Sequence, residues 1–312
     1  MRFTHKFLVS SLLFLTSLCL ALPVQAVTYC VDDFSDGPPN AADCPADCIS
    51  STGLCTLRDA IEAANQDMGA DVISVPEGTV TLTEVGDNEE GNATGDLDVL
   101  AEVNIQGQGL DLTLVQWDPN LSEADRDRVL DADPNGSGIM VEVQDMSLSN
   151  GVVAENLVLA PEGGGGIRQG ATSTLNLLRV GLMDNSSQSE GGGGLVVQSM
   201  ATVEDSWIAN NDSNGGGGGV ILTNTGDLEM TGSTVSGNST TQGGIAAGGL
   251  FMANGSTWSI TNSTISGNTA QSSGGGFLND GTGTLVNSTI TQNTGMTGTG
   301  GGLRNQQQRR AR

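Results

Sequence analysis

The stretch DADPNGSGIMVE is the most specific arrangement of potential metal ligands in the sequence. It matches the pattern Asp-x-Asp-x-Asn-Gly-x5-Glu of calcium-binding loops and so predicts a possible Ca²⁺ site. The side-chain ligands would be Asp131, Asp133, Asn135 and Glu142. However, Pro134 is unusual in such a loop, and the following residues alternate like a β-strand. An acidic turn between two strands is therefore the alternative interpretation.

A second candidate is the pair Arg179 and Asp205, which precede Asn185 and Asn211 by the same six positions in successive repeats. If the repeats stack, the two side chains reach the same face of the protein. They would then form an ion pair across two coils. The other interpretation is a weak catalytic pair, in which these groups exchange protons with a substrate.

The residue types that are missing exclude several kinds of chemistry. The one His of the chain, His5, and its one Lys, Lys6, both lie in a predicted leader, residues 1–26. The remaining chain cannot form a Ser-His-Asp triad, a His-ligated zinc site, a lysine Schiff base or a Walker phosphate loop. The formal net charge of the whole chain is −25. We therefore expect divalent cations as partners and no nucleic acid.

The leader has the form of an export signal. Arg2 and Lys6 precede an apolar run, and Val24-Gln25-Ala26 resembles a cleavage site. The rest of the sequence contains no run that approaches the about 20 apolar residues of a transmembrane helix. We expect a secreted protein or one on a bacterial outer surface.

Four cysteines remain after the leader, and they lie close together in the sequence. They are Cys30, Cys44, Cys48 and Cys55. An even number of cysteines in an exported chain predicts two disulfides, for which three pairings are open. A zinc site formed by all four thiolates is the alternative.

The segment CTLRDAIEAAN predicts a short amphipathic helix. Thr56 and Asp59 have the spacing of a capping box at its start. The helical residues that we expect to cover the end of the fold are Leu57, Arg58, Ala60, Ile61 and Ala64. An ordinary surface helix is the alternative to such a cap.

From about residue 163 the chain repeats itself with a period of 25 to 30 residues. An apolar position recurs as Leu182, Ile208, Val235, Ile265 and Ile290. An Asn recurs three positions later, as Asn185, Asn211, Asn238, Asn268 and Asn293. A third marker is a glycine run that ends at one apolar residue. Short segments rich in β-branched residues, punctuated by Gly, Asn and Asp, predict one solenoid coil per repeat.

We therefore predict an all-β parallel β-helix of about eight or nine three-strand coils, because coils stack about 4.8 Å apart and align like residues. The recurring Asn would form a hydrogen-bonded ladder at a left-handed bend. The predicted segments are the leader 1–26, a disulfide-linked segment with the helix 27–70, irregular coils 71–162, regular coils 163–303 and a polar, basic tail 304–312.

CTLRDAIEAAN, GADVISVPEGTVTL and NATGDLDVL resemble the bacterial N-terminal module named for its Cys-Ser-Leu-Arg-Glu-Ala (CSLREA) signature, with Thr56 and Asp59 as conservative replacements. The NSTISGNTA and GGGFLN units are similar to repeats of right-handed parallel β-helix proteins of the pectate-lyase-like superfamily, including chlamydial polymorphic outer-membrane proteins. This resemblance covers nearly all of the chain after the leader. It implies a right-handed β-helix, secreted or on a surface, and no particular reaction.

Three functions follow from these features as expectations. The first is a non-catalytic, adhesin-like or envelope protein that binds a cell-surface or extracellular polysaccharide or protein. The second is a polysaccharide lyase or hydrolase, since the similar superfamily includes such enzymes. The third is a structural layer protein that cations stabilise.

Overall fold

A computed structural model describes residues 25–48, 53–67, 69–86, 89–154, 163–189, 191–241, 244–271, 274–297 and 300–306. Within these residues the protein is an all-β parallel β-helix with one short α-helix, as predicted. Residues 1–24 of the predicted leader and residues 307–312 of the tail lie outside the described residues. Among the described residues, no helix has the length and apolar character needed to cross a membrane.

The first half of the chain contains the α-helix, three 3-10 turns and nine strands. Helix α1 spans Leu57–Gln66, and the 3-10 turns span Ala41–Asp43, Ala46–Cys48 and Glu123–Asp125. The strands are β1 (Thr28–Cys30), β2 (Asp71–Ser74), β3 (Gly78–Leu82), β4 (Leu97–Val99), β5 (Val103–Gln106), β6 (Thr113–Trp117), β7 (Leu130–Ala132), β8 (Met140–Ser149) and β9 (Val152–Val153).

The second half consists of short strands. They are β10 (Ile167–Gln169), β11 (Thr174–Met183), β12 (Ser186–Ser187), β13 (Leu195–Val197), β14 (Met200–Glu204), β15 (Trp207–Ala209), β16 (Asp212–Ser213), β17 (Gly216–Gly217), β18 (Val220–Leu222), β19 (Asp227–Thr231), β20 (Thr234–Ser236), β21 (Ser239–Thr240), β22 (Ala246–Ala247), β23 (Leu250–Met252), β24 (Thr257–Thr261), β25 (Thr264–Ser266), β26 (Thr269–Ala270), β27 (Phe277–Asn279), β28 (Thr282–Val286), β29 (Thr289–Thr291), β30 (Thr294–Gly295) and β31 (Leu303–Asn305).

The strands form three long parallel sheets, and β17 and β22 form a fourth, two-stranded sheet. Sheet 1 has 15 strands, and its main path is β1-β2-β5-β8-β11-β14-β19-β24-β28. Sheet 2 has eight strands, in the order β4-β7-β10-β13-β18-β23-β27-β31, and sheet 3 has six, in the order β9-β12-β16-β21-β26-β30. Each regular coil supplies strands to all three sheets. The eight strands of sheet 2 correspond to eight successive coils, in agreement with the predicted number.

The apolar marker aligns in the structure as the repeat predicts. Leu182 pairs with Ile208, Ile208 with Val235, Val235 with Ile265, and Ile265 with Ile290. The first four of these side chains are buried and the last is partly buried. Like residues therefore stack in register along the interior, and the hydrophobic core is one continuous column.

The recurring Asn residues form a continuous ladder inside the protein. The side-chain oxygen of Asn238 accepts hydrogen bonds from the backbone N–H of Asn211 at 2.9 Å and from its amide nitrogen at 3.0 Å. The amide nitrogen of Asn238 donates to Asn268 and to the carbonyl of Ile208, both at 2.9 Å. The same pattern joins Asn185 to Asn211 and Asn268 to Asn293. These bonds satisfy polar groups that would otherwise be buried without partners.

The left-handed bend lies one residue before the ladder, not at the ladder Asn itself as we predicted. Its residues have φ between 55° and 67° in the five regular coils. They are Asp184, Asn210, Gly237, Gly267 and Gln292. Each bend separates a strand of sheet 1 from a strand of sheet 3. The ladder Asn then points inward, where its amide contacts the neighbouring coils.

The glycine runs lie beside this ladder. A Cβ atom on Gly166 would lie 3.0 Å from the amide nitrogen of Asn185 and 2.6 Å from the carbonyl oxygen of Gly194. A Cβ on Gly219 would lie 3.0 Å from Asn238 in the same way. These positions require glycine because their backbone lies so close to the ladder Asn side chains that a Cβ atom would not fit.

A serine ladder that the repeat markers do not predict runs beside a second bend with positive φ, which lies within sheet 1. The bend residues of the regular coils are Arg179, Asp205, Gly232, Asn262 and Asn287. The backbone N–H of Val180 donates to Ser206 Oγ at 3.0 Å, and that of Ser206 donates to Ser233 Oγ at 3.1 Å. Ser233 and Ser263 continue the series toward Ser288. Each hydroxyl therefore pairs a backbone group of the neighbouring coil at the bend.

Helix α1 covers the N-terminal end of the coils. It packs against β1, β2 and β4, and all five helical residues predicted for the cap are buried. Thr56 and Asp59 form the predicted capping box. Because the first coil would otherwise expose unpaired strand edges and the open core, this helix has the position of a lid.

Two disulfides hold the segment before the helix. Cys30 is bonded to Cys48, and Cys44 is bonded to Cys55. The second bond joins a 3-10 turn directly to the start of α1. All four sulfurs are consumed in these bonds, so the alternative four-thiolate zinc site does not form.

Candidate functional site

The structure places the four ligands of the predicted calcium loop on different elements. Asp131 lies in β7 and is fully buried, whereas Glu142 lies in β8 of another sheet and accepts a hydrogen bond from Asn104 at 3.0 Å. Asp133 accepts the backbone N–H groups of Ser137 at 2.7 Å and Gly138 at 2.9 Å. Asn135 is exposed. The segment is an acidic turn between two strands, which was the alternative interpretation.

Asp131 instead belongs to a charged column on the outer face of sheet 2. Asp98 of β4, Asp131 of β7 and Arg168 of β10 occupy the same position on successive strands. Residues 89–96, which we call the strap, lie over this column. The strap buries the side chains of Asp98 and Asp131. The backbone N–H of Asn92 in the strap donates to Asp98 Oδ2 at 2.9 Å.

Two arginines join this column into an ionic cluster, which consists of Glu90, Asp96, Asp98, Arg128, Asp131 and Arg168. Arg128 Nη1 lies 2.9 Å from Asp96 Oδ2 and 3.1 Å from Asp131 Oδ2. Arg168 Nη2 pairs with the same oxygen of Asp131 and lies 3.2 Å from Glu90 Oε2. Arg128 and the three aspartates are almost completely buried.

The electrostatics of the cluster follow from burial. Burial disfavours the ionised form of Asp98 and, together with the charge of Asp131, raises its pKa to about 8, against a lowering effect of the hydrogen bond from Asn92. Burial also opposes ionisation of Arg128, but the carboxylates of Asp96 and Asp131 outweigh it and raise its pKa. The cluster thus holds several ionisable groups in a largely buried position, with Glu90 as its more exposed member.

A second buried arginine connects the strap to the lid. Arg58 of α1 pairs with Asp36, with Nε 2.8 Å from Oδ1, and it is fully buried. Its guanidinium also donates to the carbonyls of Gly95 at 2.8 Å and Asp96 at 2.9 Å. The helical pattern predicts that Arg58 lies in the lid, but it does not reveal the polar contacts of the guanidinium.

In sheet 1, Arg179 of β11 pairs with Asp145 and not with Asp205. Its Nε lies 2.6 Å from Asp145 Oδ1 in the preceding coil, and its Nη2 lies 2.7 Å from Oδ2. All three residues have left-handed backbone at the same bend of successive coils. The predicted cross-coil ion pair therefore exists with a different partner, because the side chain turns toward the coil before it.

The charge pair does not have the properties of an acid-base pair. The hydrogen bonds and charge of Asp145 raise the pKa of Arg179, whereas an arginine that acts as a base needs a lowered pKa. The hydrogen bonds from Arg179 lower the pKa of Asp145. Both side chains are also partly exposed, at 45% and 28%. We interpret the contact as a surface ion pair.

We predict that Arg179→Gln lowers the free energy of unfolding by less than about 1 kcal/mol at neutral pH, because surface pairs contribute little. Since the pKa of Asp145 is lowered in the folded state, the pair stabilises above the unfolded pKa of about 4 and ceases to do so as the pH falls through the folded value. Urea unfolding of both proteins at neutral and acidic pH measures this. A larger difference at acidic pH would contradict it.

The flank next to this pair has an exposed aromatic side chain. Trp207 of β15 is 54% exposed and stands in an outward column between Gly181 and Thr234. Trp117 and Trp258, the two other tryptophans, are buried. We call the outward surface around Trp207, with Arg179, Asp205 and Thr234, the Trp207 flank.

A cavity of about 290 Å³ lies at the other end, beside the lid. Its lining includes Tyr29, Cys44, Ala63 and Asp67 and contains none of the residues of the Trp207 flank. Burial and the nearby carboxylate of Asp67 raise the pKa of Tyr29 to about 12, so this phenol stays neutral at physiological pH.

The fold and these sites define the protein as a parallel β-helix with an N-terminal lid, a buried ionic cluster and a polar flank. Comparisons of the chain with protein-family models, with curated proteins and with solved structures gave no match.

Proposed function

We propose that the protein is an exported, non-catalytic β-helix that binds an extracellular or cell-surface polysaccharide or protein through the Trp207 flank, as adhesin-like and envelope proteins do. The observation that carries this proposal is the exposure of Trp207 in a column where its direct neighbours are Gly181 and Thr234. The exposed aromatic face offers apolar surface that a ligand can cover with a gain in free energy.

The surroundings of Trp207 favour a sugar as the ligand. An aromatic face packs against the C–H groups of a pyranose ring, while neighbouring polar side chains bind its hydroxyls. Thr234, Arg179 and Asp205 are candidates for these hydrogen bonds because they lie on adjacent coils of the same flank. Coils stacked about 4.8 Å apart present side chains at regular intervals, so an extended polysaccharide could contact several coils with successive sugar units.

Export is part of the same proposal. The leader-like residues 1–26 and the two disulfides support an oxidising compartment outside the cytoplasm. The resemblance to the CSLREA module and to β-helix repeats of the pectate-lyase-like superfamily supports a surface or secreted protein. It is also the reason why a polysaccharide lyase or hydrolase is the alternative function.

The experiment is a screen of the mature chain, residues 27–312, against immobilised extracellular glycans and surface proteins. We expect the Trp207→Ala variant to weaken binding of the best ligand by about tenfold or more, since the stacking surface is lost. Met200→Ala is the matched control, because Met200 is also exposed, at 46%, but lies in another outward column.

Two results would contradict the proposal. Equal binding by wild type and Trp207→Ala would show that the flank is not the binding surface. Release of unsaturated or reducing sugar products, lost in Arg179→Gln, would instead establish the enzyme alternative.

A further inference from the structure

Two neighbouring buried aspartates in the ionic cluster each have an oxygen without a partner. Asp98 and Asp131 are paired positions on β4 and β7, and both side chains are completely buried. Asp98 Oδ2 accepts a hydrogen bond from the backbone of Asn92, and Asp131 Oδ2 pairs with Arg128. The Oδ1 atom of each aspartate has no hydrogen-bond partner. Buried carboxylate oxygens without partners are rare because desolvation of the charge is costly.

Glu90 of the strap completes a set of three carboxylates. One carboxylate oxygen from each of Glu90, Asp98 and Asp131 lies within 4.8 Å of the other two. Two oxygens that bind one Ca²⁺ at about 2.4 Å can be at most about 4.8 Å apart, so this spacing allows a shared ion. The three residues come from the strap and from two successive strands of sheet 2.

The other groups of the cluster agree with a cation at this position. Arg128 and Arg168 pair with Asp96, Asp131 and Glu90. Among the described residues Asp98 pairs with neither arginine, so a bound cation would stabilise its ionised form, which burial disfavours. Asn92, which binds Asp98 through its backbone, is also fully buried and leaves its Oδ1 atom without a partner. It would supply a neutral oxygen of the kind that Ca²⁺ sites use.

We propose that Glu90, Asp98 and Asp131, with Asn92 beside them, form a Ca²⁺-binding site that fastens the strap over sheet 2. The ion would supply the positive charge that the two arginines do not provide. All ligands are oxygens and none is a His or Cys, which favours Ca²⁺ over zinc or copper. The site differs from the sequence-predicted loop, with which it shares Asp131.

The proposal is tested with CaCl₂ titrated into the EDTA-treated, dialysed mature chain, followed by isothermal calorimetry and thermal unfolding. We expect one Ca²⁺ per chain and a rise in Tm of about 3 to 8 °C at saturation, because the ion binds only the folded state. Asp98→Asn and Glu90→Gln should each weaken binding at least about tenfold and reduce the rise in Tm at subsaturating Ca²⁺.

Asp133→Asn and Asp205→Asn are the matched controls. Asp133 belongs to the sequence-predicted calcium loop but not to the proposed site, and Asp205 is an acidic residue on the flank. Both variants should bind Ca²⁺ like the wild type. Ca²⁺ binding that is abolished by Asp133→Asn, or that is unchanged in Asp98→Asn, would overturn the proposal. Absence of heat and of any Tm change in the wild type would also overturn it.

Discussion

Replacing Arg58 by Met is expected to lower the free energy of unfolding by about 3 to 5 kcal/mol, as for other buried ion pairs that lose one partner. Asp36 would remain buried without its counter-charge, although it still accepts the backbone N–H groups of Thr83 and Glu84. The carbonyls of Gly95 and Asp96 would lose their donors as well. The substitution therefore acts on the lid and the strap together.

Urea unfolding followed by circular dichroism measures the effect. Arg58→Lys is the informative second variant. It keeps the charge, but its compact ammonium group lacks the planar fork of donors that reaches both Asp36 and the carbonyls of the strap. We expect it to recover only a small part of the loss. Arg179→Met, at an exposed ion pair, is the matched control and should change stability little. An equally small effect for Arg58→Met would show that the lid is not held by this contact.

Replacing Asn238 by Ala in the middle of the ladder is expected to cost about 3 to 6 kcal/mol. The change removes the side-chain oxygen that accepts from Asn211 and the amide nitrogen that donates to Asn268 and to the carbonyl of Ile208. These groups would be left without partners in the dry interior. Each such group costs about 1 to 3 kcal/mol when it is left unpaired. Neighbouring coils on both sides of the substitution are affected, which increases the loss.

The same substitution at Asn293 is the control for the position in the ladder. Asn293 is the last described member and is partly exposed, and its Oδ1 accepts from Asn268 on one side. Water can replace part of these bonds, so we expect a loss of about 1 to 2 kcal/mol. Equal losses at the two positions, measured by the same urea titration, would contradict the role of burial in the ladder.

The regular coils could be predicted well because each marker recurs. A shift of one residue in any coil would turn Ile208 or Val235 outward, so a continuous apolar row allows one register only. The helical lid was predictable for a similar reason, since the spacing of Leu57, Ala60 and Ile61 has one amphipathic solution. The glycine and Asn markers could be recognised as repeats, but their contact with each other across the coil could not.

The irregular coils were harder to predict because nothing in their sequence repeats. The register that places Asp98 beside Asp131 and Arg168 depends on the lengths of loops between strands, which vary from coil to coil. The calcium pattern at residues 131–142 illustrates this dependence on the tertiary structure. Its ligands are close in sequence, but β7 and β8 belong to different sheets and carry them apart.

The sequence by itself determined the β-helix, the short amphipathic helix and the alignment of the regular coils, because local periodicity admits one arrangement. The tertiary structure placed that helix over the first coil. Only the tertiary structure decided the disulfide pairing, the choice of Asp145 as the partner of Arg179 and the assembly of the ionic cluster. Those contacts join residues from different coils or distant loops. Their formation depends on the direction in which each side chain leaves its bend or strand, and neighbouring residues in the sequence do not specify it.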